Sequence, residues 1–107
     1  MDHDLVQVTT TAPDEATAST IASTLLDAHL AACVQVDGPI RSRYWWDGEL
    51  DEATEWRCVA KSTAALARRI VDAIVEVHPY DVPEVLVTPV VDAHSPYADW
   101  VRDAVSR

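Results

Sequence analysis

Leu5 to Thr11 forms a β-rich run that Ala12-Pro13-Asp14-Glu15 ends. Thr11 is placed to cap a following helix, with Pro13 in its first turn and Asp14 and Glu15 complementing its positive end. Ala18, Ile21, Ala22 and Leu25 then recur at helical spacing, to about Ala28. A short apolar run from Ala31 to Asp37 is interrupted by Gly38-Pro39 and resumes from Ile40 to Trp46. Asp47-Gly48 is a strong hairpin signal, because both central positions of a type I′ turn need positive φ. Leu50 to Ser62 therefore returns antiparallel. A two-residue loop sets Trp46 opposite Glu49 and Arg43 opposite Glu52, a favourable cross-strand charge pair. In that register Cys33 and Cys58 do not face each other, so no disulfide joins them.

A second helix is predicted from about Thr63 to Val77, with Leu66, Ile70, Ala73, Ile74 and Val77 on one stripe. Pro79 stops it, since the residue before proline is pushed out of the helical region. Val82 to Val91 reads as a last strand, with Pro83 near its start and Pro89 near its finish, positions that suit an edge or a bulge. Ser95-Pro96 is a cap followed by proline at the first helical position, and Tyr97, Trp100, Val101 and Ala104 put an apolar stripe on a short final helix. The order β-α-β-β-α-β plus a C-terminal helix is the ferredoxin-like α+β pattern, a four-stranded antiparallel sheet covered on one face by two helices.

With 107 residues, 49% of them hydrophobic, the chain reads as one domain, 1–107, able to bury an ordinary core. Asp and Glu number 18 against 8 Lys and Arg, a net charge of −10, which argues against nucleic acid as a partner. No apolar run approaches the roughly 20 residues that span a bilayer. The start Met-Asp-His-Asp-Leu-Val lacks a basic, apolar export signal, so the expected location is the cytoplasm with both thiols reduced and no membrane partner. Two glycines exclude a Gly-rich nucleotide loop. No G-x-S-x-G or H-E-x-x-H is present either, so the expectation is a non-enzymatic protein.

One length does not fit a lone domain. Ala31 to Trp46 in strand geometry extends roughly 50 Å, whereas a globule of this size has a radius of gyration of about 13 Å. Either Gly38-Pro39 bends the strand or the hairpin tip overhangs the body. Tyr44, Trp45 and Trp46 at the tip, with Trp56 farther down the returning strand, favour burial against another chain. A closed ring of copies would also hide exposed strand edges.

Several consecutive segments give the chain a recognisable character: Thr11-Ala-Pro-Asp-Glu-Ala-Thr-Ala18, Leu30-Ala-Ala-Cys-Val34, Tyr44-Trp-Trp-Asp-Gly48, His78-Pro-Tyr-Asp-Val-Pro-Glu84 and Tyr97-Ala-Asp-Trp100. In this order, from about Val6 to Val101, the chain resembles the CutA (divalent-ion tolerance) family. The resemblance implies a ferredoxin-like subunit in a tight homotrimer, a link to copper and other divalent cations, and no enzymatic activity. It also implies a likeness in architecture to the PII signalling proteins, and with it a small-ligand cleft between subunits. Family members with a proposed copper site carry a Cys where this chain has Thr10 and histidines at or before His-Pro-Tyr. Here Val77 precedes His78, so His78 alone carries over as metal ligand, and one imidazole is not a cupric site.

In the plainest reading His78 instead satisfies carbonyls at a helix end, and Cys33 and Cys58 are small buried hydrophobes. Lys61, the one lysine, closes the third strand and Glu84 opens the fourth; with Tyr80 and Trp100 they are the expected lining of an inter-subunit cleft. Three functions follow as expectations. The first is Cu(II) or other divalent-cation binding in metal tolerance; the second is PII-like binding of a metabolite; the third is a structural trimeric scaffold.

Overall fold

The computed structural model describes residues 4–106. β1 (Leu5–Ala12) leads into α1 (Glu15–Asp27), then β2 (Cys33–Trp46) and β3 (Glu49–Thr63) form a long hairpin. A 3₁₀ turn (Ala64–Leu66) and α2 (Ala67–Val77) connect to β4 (Val85–Pro89) and α3 (Ser95–Ala104). The sheet order is β2-β3-β1-β4 and all neighbours are antiparallel, the ferredoxin-like arrangement that the element order predicts.

Several element ends differ from expectation. The cap of α1 is Asp14, whose carboxylate accepts from the Thr17 amide at 2.7 Å, because Thr11 is still paired within β1. That bond holds the Asp14 carboxyl below its usual range. Thr63 remains in β3, so the α-helical part of the second helix starts only at Ala67. β4 is shorter than the apolar run, covering five residues opposite Val6–Thr10 of β1. His94, not Ser95, occupies the α3 cap position, and its side chain makes no capping bond.

Val6 and Val8 of β1 pack with Ile21 and Leu25 of α1 and Ile70 and Ile74 of α2, between the helices and one sheet face. Full burial of such a side chain contributes about 1.5–3 kcal/mol. On β3 the same face carries Cys58, Ala60 and Ser62, where Ser62 donates to the Leu30 carbonyl at 2.6 Å. Burial pushes the Cys58 thiol up. Both cysteines are free thiols, as the register requires; Cys58 is buried and Cys33 half-buried.

α3 docks elsewhere, with Ala98 and Val101 against Leu5, Ala32 and Val90. The expected stripe is therefore rotated: Tyr97 and Trp100 are exposed and Ala98 takes the buried position. Arg102 sets this rotation by gripping Asp4 through Nε and Nη2 at 2.8–3.0 Å, which lowers the Asp4 pKa.

The hairpin turn has φ 53° at Asp47 and 81° at Gly48, the pair of positive values that Asp-Gly predicts. Arg43 faces Glu52, with Nε 3.5 Å from Oε1. A bulge between Asp37 and Ile40 shifts the register by one residue toward the base of the strand. The Trp56 ring lies over Gly38 there, where a Cβ would sit 2.5 Å from Cδ1. β1 ends at Ala12 opposite Trp56, so the hairpin runs on beyond the third strand. The overhang is thus real, and it gives the molecule a long dimension of 44 Å against 26 and 22 Å.

Candidate functional site

Where β1 stops, the chain leaving α2 reaches the hairpin and encloses a cleft of about 640 Å³. Ser42, Tyr44 and Trp46 of β2 stand on one side, with Asp51 and Glu55 of β3. Tyr80, Asp81 and Glu84 stand on the other, and Thr11 closes the end.

Two hydrogen-bonded residues hold the second wall in place. His78 terminates α2 in extended geometry, as expected for a residue before proline. Its ring is buried, and its Nδ1 accepts from the Tyr80 backbone N–H at 3.2 Å. An amide nitrogen only donates, so Nδ1 is the bare nitrogen and Nε2 carries the proton, which it donates to the Thr11 carbonyl at 2.7 Å. His78 thus ties the loop to the end of β1, rather than satisfying the carbonyls of its own helix. The imidazole and the Tyr80 ring lie with centroids 4.7 Å apart.

Tyr80 in turn donates its hydroxyl to Glu55 Oε2 at 2.9 Å. Burial, then this bond, then the Glu55 charge push the Tyr80 phenol up to about 12. Glu55 is itself only 7% exposed.

Of the residues expected to line one cleft, Tyr80 and Glu84 do so, joined by Tyr44 and Trp46 from the expected interface set. Lys61 and Trp100 stand elsewhere in the subunit. Lys61 pairs with Cys33 and Gln7, six residues along β3 from Glu55, or roughly 20 Å. Its Nζ donates to Gln35 Oε1 at 2.7 Å. Trp100 packs beside Tyr97 at 5.7 Å, and the Tyr97 hydroxyl lies 3.7 Å from Cys33 Sγ. A cleft shared by all four therefore needs a second chain.

Trp45 is 74% exposed at the tip, whereas Trp56 is half-buried against its own core. Thr10, in the family's Cys position, is buried in the sheet with Oγ1 lacking a hydrogen-bond partner among the described residues, and Val77 is exposed. No three His, Cys, Asp or Glu side chains converge as a metal cluster among the described residues.

Sequence reasoning missed Glu55. Within Ala53-Thr54-Glu55-Trp56 it reads as one more solvated hairpin charge, since its burial comes from Tyr80, 25 residues on. The one available signal was the shortness of β1, which leaves that stretch of β3 to be covered by another segment.

The CutA1 divalent ion tolerance protein model matches residues 6–104. The divalent-cation tolerance protein CutA of Pectobacterium atrosepticum is 39% identical over 99 residues, covering 92% of this chain and 90% of that protein. Among solved structures, CutA1 from Ehrlichia chaffeensis superposes with a TM-score of 0.93 at 28% identity, covering 100% of both chains. The divalent cation tolerance protein from Thermus thermophilus gives 0.91 at 34% identity, covering 94% of this chain and 97% of that one. Sequence and fold agree along nearly the whole length, and the chain belongs to the CutA1 divalent ion tolerance family.

Proposed function

We propose that this protein is a non-enzymatic, cytoplasmic homotrimer that binds divalent metal ions, copper first, in metal tolerance. The observation that carries the reading is the match to the CutA1 divalent ion tolerance family over residues 6–104, in a chain of net charge −10. Copper favours imidazole, and His78 is the one residue that the family resemblance carries over as a ligand.

Association is supported by the overhanging arm. Tyr44, Trp45, Trp46 and Leu50 are exposed there, beyond the last residue of β1, and such a surface is buried only against another chain. Trp56 sits at the root of this arm.

Calorimetric titration with Cu(II) of wild type and His78→Ala tests the metal reading. Saturable uptake lost in the variant is expected; no uptake, or equal uptake in both, contradicts a His78-centred site. A second reading, PII-like binding of a small metabolite, is favoured by the cleft volume, which falls in the range of small-ligand pockets.

A further inference from the structure

Glu55 stands where the hairpin leaves the body. The last pair of β1 is Ala12 with Trp56, so Glu55 is the first residue of β3 without a β1 neighbour. It faces Ile40, the first residue of β2 beyond the bulge. From there outward, residues 40–46 and 49–55 form a two-stranded ribbon with no third strand among the described residues. Such a ribbon is marginal by itself, and a bulge is where a strand bends. Backbone pairing therefore holds the arm together but does not set its angle to the body.

Tyr80 supplies that constraint. Its hydroxyl donates to Glu55 Oε2 at 2.9 Å, the one side-chain hydrogen bond among the described residues that joins the arm to the body. Glu55 is buried, so water competes little for the bond. Tyr80 is itself anchored, since its backbone N–H donates to His78 Nδ1 and His78 Nε2 donates to the Thr11 carbonyl. Consecutive hydrogen bonds thus run from the end of β1 to the root of the arm. The ion pairs of Arg41 and Arg43 with Glu52 stay within the arm and do not aim it.

We propose that Tyr80 is a positioning residue for assembly, a brace that through Glu55 sets the angle at which the arm meets a second copy of this chain. A head-to-tail interface closes into a ring only when each copy presents its arm at one angle. Residues 40–46 reach about 20 Å, so a swing of about 10° at the root moves the tip by about 3.5 Å. That is a full atomic contact distance, enough to unseat Tyr44, Trp45 and Trp46 from a partner. The role rests on the homotrimer reading and adds to it the residue that orients the interface.

Sedimentation equilibrium over a dilution series measures the dissociation midpoint of the trimer in wild type, Tyr80→Phe, Glu55→Gln and Glu55→Leu. Tyr80→Phe and Glu55→Leu each delete the bond and are expected to raise the midpoint concentration about tenfold or more. Glu55→Gln keeps an acceptor for the Tyr80 hydroxyl and is expected to stay within about threefold of wild type. The double variant Tyr80→Phe/Glu55→Leu is expected to be no worse than either single one, as for two ends of one bond. Hydrogen exchange in the dissociated protein separates aiming from folding. Amides of residues 40–46 are expected to exchange faster in Tyr80→Phe, with those of Ile21 and Ile70 unchanged.

Equal midpoints for wild type and Tyr80→Phe overturn the brace and leave the assembly reading standing. A wild type that is monomeric at every concentration overturns that reading, and the role of the brace with it. Weakening by Glu55→Gln as strong as by Tyr80→Phe overturns the bond as the cause in favour of the Glu55 charge. Faster exchange in the helices as well as the arm overturns it in favour of a general loss of stability.

Discussion

The His78 imidazole donates from Nε2 to the backbone carbonyl of Thr11 across 67 residues of sequence, at 2.7 Å. That bond joins the end of α2 to the end of β1 and fixes the path of the loop that carries Tyr80 and Glu84 from α2 to β4. His78→Ala leaves the Thr11 carbonyl and the Tyr80 amide without this partner in a buried setting. The expected cost is about 2–4 kcal/mol, measured as a lower urea midpoint at unchanged slope.

Tyr80 and Glu55 give a pH signature. The folded phenol holds its proton to about 12, whereas the unfolded one releases it near its ordinary value of 10. Above pH 10 the unfolded state therefore binds fewer protons than the native state. Stability is full below that pH and falls as pH rises toward 12. Thermal melts of wild type should show this decline, and Tyr80→Phe should make it shallower, leaving the part due to Cys58 and Tyr97, whose ionisation burial also pushes up.

Thr10 carries a buried hydroxyl with no partner among the described residues. Thr10→Val removes that group at similar volume and is expected to stabilise by about 1 kcal/mol. A melting temperature below that of wild type would show that the hydroxyl has a partner.

Gly38 is required by a close approach and Gly48 by conformation. A Cβ on Gly38 meets the rigid base of the Trp56 ring at 2.5–2.6 Å, so Gly38→Ala should cost about 1–3 kcal/mol and shift tryptophan emission. Gly48→Ala meets nothing within 4 Å but strains a φ of +81°, for about 1 kcal/mol with emission unchanged. Denaturation followed by fluorescence separates the two effects.

Much of this architecture was legible because it is written locally. Helical spacing marked Ile21, Leu25, Ile70 and Ile74, all of which are buried, and Asp47-Gly48 fixed the hairpin and the Arg43–Glu52 pairing. What was not legible depends on distant partners. Arg102 reaches Asp4 and rotates α3, so that Ala98 is buried in preference to Tyr97 and Trp100. Thr11, at the end of the β-rich run, was read as the helix cap, whereas β1 runs one residue farther, to Ala12, and Asp14 takes the cap. The cleft was half legible: Tyr80 and Glu84 were named, but Glu55, which Tyr80 covers, was hidden by its own hydrophilic neighbourhood, and Lys61 and Trp100 stand at a different part of the sheet.

We propose that this member of the divalent ion tolerance family assembles through its hairpin arm and takes up cations in the assembled state. Native mass spectrometry of wild type and His78→Ala, each with and without substoichiometric Cu(II), tests it most directly. A trimer mass is expected for both proteins, with stoichiometric copper on wild type that the variant loses. A monomer mass, or a trimer that takes up no copper, would contradict it.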